Sequence, residues 1–254
     1  MNIKIAISGK GGTGKTTIAA LLIKYFLTEK KLVLAVDADP NSNLDSKLGV
    51  KAETSIGALR EEIMKNIENL PPGMSKSDWL EYKIKLGMIE SQGFDLLAMG
   101  RPEGHGCYCY INQVLRTMLD RISERYDYVV IDCEAGMEHL SRRTTGNVDI
   151  LMIVSDSTKE GILTAGRIKR LAEEMALKVK KFKLVINFMH MQKLPESLQK
   201  AVTEIGVEYK DATFIPYDEN IANCAVENYS VISIPENSRA YRAVVDLAKG
   251  KSFY

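Results

Sequence analysis

The sequence predicts an α/β fold, a doubly wound, mostly parallel sheet with helices on both faces. Three observations predict it. Short apolar runs alternate along the chain with patterns of helical period. The runs are apolar at nearly every position, as strands covered on both faces require. A glycine- and lysine-rich segment at 9–16 joins the first run to the first helical pattern, where a sheet of this kind places its ligands.

Strands are predicted near 3–7, 32–36, 94–99, 128–131, 150–154 and 182–186. Between them lie the helices. Residues 16–27 are apolar nearly all round, which suits a helix packed deeply beside the sheet. Ile111, Val114, Leu115, Met118, Leu119 and Ile122 recur at helical spacing, as do Ile162, Leu163, Ile168, Leu171, Ala172 and Met175. Residues 51–93 are the least regular part: a helical pattern over 53–70, a break at Pro71-Pro72-Gly73, and a second polar helix around 77–88. This reads as an insertion between strands. At 237–254 the apolar stripe Ala240, Tyr241, Val244, Val245, Leu247 and Ala248 predicts a helix docked on the core. With no internal repeat or low-complexity stretch, residues 1–254 are expected to form one domain.

Composition narrows the function. The chain has 254 residues, 45% hydrophobic and 26% charged, so it can build a sizeable core. Its net charge of +1 argues against a strongly electrostatic binder of nucleic acid or anionic membrane. No apolar run is long enough to span a bilayer, and the start of the chain reads as a strand, not a signal peptide. A cytoplasmic location is therefore expected. Four cysteines, Cys107, Cys109, Cys133 and Cys224, are too few for a disulfide scaffold and point to metal, redox or packing roles.

The segment Gly9-Lys10-Gly11-Gly12-Thr13-Gly14-Lys15-Thr16 fits the phosphate-loop pattern of P-loop NTPases, in the strand-to-helix context that the pattern requires. Its glycines let backbone amides turn inward onto phosphate oxygens, and the helix N-terminus adds partial positive charge. Lys15 would neutralise the β- and γ-phosphates, Thr16 would ligate Mg²⁺, and Thr17 would donate to the α-phosphate of ATP or ADP. Two further segments end predicted strands: Asp37-Ala38-Asp39-Pro40-Asn41 and Asp132-Cys133-Glu134-Ala135-Gly136.

The second lysine, Lys10, calls for an explanation. Lys-Gly-Gly-Thr-Gly-Lys-Thr-Thr at 10–17 resembles the deviant Walker A loop of the ATPase class that contains the nitrogenase iron protein, MinD and ParA. The resemblance covers nearly the whole chain. It implies an ATP-dependent homodimer in which Lys10 reaches the partner's nucleotide. It implies a switch segment with Asp37 and with Asp39, near Mg²⁺, positioning or activating the attacking water. A second switch would have Asp132 supporting Mg²⁺ and Gly136 contacting the γ-phosphate. It also places Asn187 and Pro216, from Val185-Ile186-Asn187 and Ile215-Pro216-Tyr217-Asp218, beside adenine.

Cys107-Tyr108-Cys109 follows the loop Gly100-Arg101-Pro102-Glu103-Gly104-His105-Gly106 and precedes a predicted helix. Thiols beside a helix N-terminus ionise more readily and make better metal ligands. A tetrahedral thiolate site needs four ligands, which two chains would supply. His105 is an alternative or additional ligand. Cys133 and Cys224 read as packing residues. Together with Asp132-Cys133-Glu134-Ala135-Gly136-Met137-Glu138-His139-Leu140-Ser141-Arg142-Arg143, the Cys-x-Cys pair resembles the CooC-type ATPases, accessory proteins that help load nickel into carbon monoxide dehydrogenase or acetyl-CoA synthase. That resemblance implies Ni²⁺ or Zn²⁺ held by Cys107 and Cys109 between subunits, nucleotide-controlled dimerisation and a nickel-enzyme client; the near-neutral charge and the core-facing stripe at 237–254 lead us to expect no nucleic-acid or membrane partner. The competing readings are a MinD- or ParA-like positioning ATPase and an Fe–S electron carrier like the nitrogenase iron protein. The latter would draw its cysteines from separate loops, whereas here two crowd one loop.

Overall fold

The computed structural model describes residues 2–39, 41, 43–59, 72–100, 120–134, 147–227 and 229–250. They form an eight-stranded sheet in the order β3-β4-β2-β5-β1-β6-β7-β8. The strands are β1 (Ile3–Gly9), β2 (Val33–Asp37), β3 (Ile89–Glu90), β4 (Phe94–Ala98), β5 (Tyr128–Asp132), β6 (Asn147–Ser155), β7 (Lys178–Met189) and β8 (Thr213–Pro216). Every pairing is parallel except that of β3 with β4. All six expected strands are present. β3 and β8 escaped prediction because they are short edge strands, two and four residues long, and the second ends in a proline.

The apolar strands divide their side chains by parity between two cores. Ile5, Ile7, Val130, Met152 and Val154 belong to one core with Ile18 to Phe26 of helix α1 (Lys15–Thr28) and Tyr241 and Val244 of the last helix. Ala6, Val129, Ile131, Leu151 and Ile153 belong to the other, with Ile162, Ala165 and Ile168 of a helix after β6. Burying both faces is what makes these runs continuously apolar. It also explains α1, which sits between the sheet and other helices and is buried nearly all round.

Burial of Lys24 in α1 is resolved locally. Its ammonium donates to the carbonyls of Ile232 and Ile234 and lies 5.1 Å from the centre of the Tyr241 ring. The helix thereby pins the final segment of the chain to the core.

The remaining helices are α2 (Leu44–Leu48), α3 (Lys76–Leu86), α4 (Lys159–Glu174), α5 (Glu196–Glu204), α6 (Glu219–Val226) and α7 (Arg239–Lys249). α3 is the expected second helix of the insertion, and its start is set by Ser75, whose hydroxyl accepts from the Asp78 amide. Residues 56–59 and 120–123 are helical, and the rest of the helices expected at 53–70 and 111–122 lies outside the described residues. Among the described residues no helix is long and apolar enough to cross a membrane.

Candidate functional site

The carboxyl ends of β1, β2, β5 and β7 converge on one edge of the sheet. β1 runs between β5 and β6, at the point where the strand order reverses, so the loop that leaves it opens into the crevice between the two halves. Two glycines allow the loop to turn there. A side chain at Gly9 would strike the Val154 carbonyl of the neighbouring strand at 2.1 Å. One at Gly14, whose φ is +87°, would lie 2.4 Å from the Asn187 amide. Gly11 and Gly12 are exposed on the outside of the turn.

Hydrogen bonds within the loop centre on the Lys10 carbonyl. It accepts from the Thr13 hydroxyl at 2.8 Å and from Lys15 Nζ at 3.2 Å. Lys15 is buried, so its ammonium points into the loop and not into bulk solvent. Lys10 is different: its own ammonium is on the surface and pairs with Glu160 of α4 at 3.1 Å. Both lysines of the motif therefore present charge at this edge, one inside the loop and one on its rim.

Two carboxylates face that charge. Asp37 and Asp132 end adjacent strands at paired positions of the β2–β5 ladder, and both are buried. Asp37 accepts from the amides of Asp39 and Leu44, which fixes the turn leading into α2. Burial pushes its carboxyl up to about 6; those two amides oppose the shift, and Asp39 and Asp45 add to it. Asp132 is pushed up to about 7, chiefly by burial. A hydrogen bond from Thr16 and the charge of Lys15 oppose that shift, while Asp37 and Asp39 reinforce it. Asp132 Oδ1 is buried without a hydrogen-bond partner. Asp39 lies at the surface of the same turn, where its carboxylate accepts from the Asn41 amide at 2.8 Å.

The donor set suits Mg²⁺. It joins the Thr16 hydroxyl to an orphaned carboxylate oxygen, beside a like-charged neighbour that ionises reluctantly without a cation. Among the described residues no three His, Cys, Asp or Glu side chains converge as a metal cage. Mg²⁺ itself usually takes one or two carboxylates plus water and phosphate oxygens.

Beyond Lys15 the edge opens into a pocket of about 180 Å³, lined by Thr17, Lys47, Asn187, Phe188, Pro216, Tyr217 and Asp218 among others. Asn187 and Pro216, far apart in sequence, thus reach one cavity next to the phosphate loop. Asn187 Nδ2 donates to the Thr13 carbonyl at 2.9 Å, tying β7 to the loop. Asp218 is spent on structure. It accepts from the Asn220 amide, the Ser238 hydroxyl and the Ala240 amide, joining the starts of α6 and α7. Burial opposes its ionisation, but these hydrogen bonds outweigh it and hold the carboxyl below its usual range.

Sequence reasoning missed Phe188, which lies in the β7–β8 irregularity with φ +57°. The available signal was an aromatic residue directly after Asn187 at a strand end. Cys133 and Cys224 are both free and buried, as packing residues should be. Cys107, Cys109, His105 and Gly136 lie outside the described residues.

A strand-to-helix phosphate loop, a buried lysine and a carboxylate pair at a parallel-sheet edge define a P-loop ATPase. The CbiA profile, described as the CobQ/CobB/MinD/ParA nucleotide binding domain, matches residues 4–231, and the chain belongs to this family of ATPases. It is 43% identical over 247 residues to an uncharacterized ATP-binding protein of Methanocaldococcus jannaschii, with 96% of each chain covered. It is 35% identical over 187 residues to the carbon monoxide dehydrogenase accessory protein CooC of Rhodospirillum rubrum, covering 69% of this chain and 71% of that one. In fold it resembles the septum site-determining protein MinD of Pyrococcus horikoshii complexed with Mg-ADP, with a TM-score of 0.67, 20% identity and 98% and 95% of the two chains covered.

Proposed function

We propose that this ATPase is a maturation factor that helps load nickel into carbon monoxide dehydrogenase or acetyl-CoA synthase, acting as a nucleotide-controlled homodimer built from single-domain chains. The observation that carries the reading is the similarity to CooC across most of the chain. The Cys107-Tyr108-Cys109 pair, which offers two thiolates per chain, supports it. In this reading Ni²⁺, or Zn²⁺ in its place, is cargo bound by the two cysteine pairs of a dimer.

The roles at the nucleotide site follow from charge and position. Lys15 and the backbone of 9–14 hold the phosphates, and Thr17 donates to the α-phosphate. Thr16 and Asp132 hold Mg²⁺, which would offset charge on the phosphate oxygens. Asp39 orients water, and Asp37 fixes the turn that carries Asp39. Asn187 donates its NH₂ to Thr13, so its Oδ1 is left to accept from the exocyclic amine of adenine, with Pro216 alongside. Lys10 leaves Glu160 and reaches the partner's phosphates, closing the dimer. Closure changes the spacing of the two cysteine pairs, and hydrolysis reverses it and releases the cargo.

Anaerobic nickel and zinc titration, with sizing in the ADP and ATP states, tests this. Wild type should bind one ion per dimer, Cys107→Ser/Cys109→Ser none, and Lys10→Ala should fail to dimerise with ATP. Equal metal binding by wild type and the double variant would sink the cargo site. A second reading, a positioning ATPase, is supported by 32% identity over 162 residues to the Gloeothece citriformis protein named for maintenance of carboxysome distribution. ATP-dependent co-sedimentation with DNA or liposomes would favour it.

A further inference from the structure

The pocket beside the phosphate loop contains a strained aromatic residue that the roles above leave unused. Phe188 has φ +57°, in the left-handed region that a bulky side chain occupies only at a cost. Asparagine or glycine would adopt that backbone more readily. The residue lies where the β7–β8 register slips between Ile186 and Met189. Its side chain is not buried in either core, being 37% exposed at the pocket. Its ring tip would lie 3.1 Å from a Cβ at Gly14, so the ring borders the phosphate loop itself. Packing alone does not account for such a residue, which belongs to neither core and lines the pocket.

We infer that Phe188 is a nucleobase-stacking residue, its ring forming one wall of the base pocket against the loop that holds the phosphates. This rests on the pocket being the base site. The chemistry is favourable on three counts. An aromatic face binds any purine plane, and stacking of one base on one ring is a strong and sequence-tolerant contact. Asn187, held by Thr13, precedes it directly, so one bulge would place the amine acceptor and the stacking surface together. The register slip is what presents consecutive residues to one pocket, since in a regular strand they would face opposite sides.

The test compares ligands with and without a base. Binding of Mg-ATP, Mg-ADP and magnesium tripolyphosphate is measured by calorimetry for wild type, Phe188→Gly, Phe188→Leu and Phe188→Trp, with thermal unfolding to confirm folding. Phe188→Gly relieves the backbone and removes the ring. It should weaken ATP and ADP binding by about 5- to 150-fold and leave tripolyphosphate unchanged. Phe188→Leu should lose most of the same affinity, and Phe188→Trp should keep it. If Phe188→Gly binds ATP and tripolyphosphate in the same ratio as wild type, the stacking role is wrong. If wild type itself holds tripolyphosphate as tightly as ATP, the base-pocket reading fails instead.

Discussion

The two ends of the sheet handle charge in opposite ways. At the amino ends of the strands, charges meet partners. Lys4 pairs with Asp120 at 2.6 Å, and Asp149 accepts both from the Lys4 amide at 2.8 Å and from Lys180 at 2.6 Å. At the carboxyl ends, Asp37 and Asp132 are buried side by side, both resist ionisation, and one oxygen of Asp132 has no donor. One end satisfies its charges with protein groups. The other buries two carboxylates whose charge the surrounding protein groups do not fully offset, as the proposed cation-binding role would require.

The largest effect expected from breaking this contrast comes at the lysine inside the loop. Lys15→Ala should lower ATP hydrolysis by about 100-fold or more, because a buried cation aimed at transferring phosphate stabilises charge that develops in the transition state. The variant should stay folded, since the hydrogen bond of Lys15 Nζ is to the Lys10 carbonyl of its own loop and not to the core. Near-normal phosphate release would remove Lys15 from the site.

The carboxylate pair gives the next effect, in the opposite direction for stability. Both folded-state values, about 6 for Asp37 and about 7 for Asp132, lie above the usual carboxylate value. The stability they allow is fully present below about pH 4. It is lost as the pH rises through 6 to 7, because ionisation is harder in the folded chain than in the unfolded one. Metal-free, nucleotide-free protein should therefore show a falling Tm across that interval. Asp132→Asn should flatten the fall and raise the Tm at pH 8 by several degrees, while sharply lowering Mg²⁺-dependent hydrolysis. A variant less stable than wild type at pH 8 would mean that Asp132 is already compensated without a cation.

This contrast was only half legible in the sequence. The phosphate loop, the central strands and both aspartate segments could be read, because a glycine-lysine pattern and apolar runs are local signals. The edge strands could not. β8 holds only four residues, and its pairing is set by β7, not by its own periodicity. Phe188 was marked only by its place after Asn187, since a positive φ at a non-glycine residue leaves no trace in composition. The burial of Asp37 and Asp132 against each other depends on β2 and β5 being neighbours. That is a fact of strand order, and no spacing along the chain reports it.

The smallest effects should lie at the amino ends, and they sharpen the contrast by leaving hydrolysis alone. Lys180 is 73% exposed, so Lys180→Ala should change stability by no more than about 0.5 kcal/mol, as exposed ion pairs do. Its partner is less dispensable. Asp149→Ala also removes the acceptor of the Lys4 amide in β1, and should cost about 1–2 kcal/mol in urea unfolding. Neither residue approaches the phosphate loop, which leaves β1 from its other end, so kcat should be unchanged in both. A fall in kcat for Asp149→Ala at a denaturant concentration where the variant is fully folded would show that strain at one end of β1 reaches the loop at the other, and that the two ends are not independent.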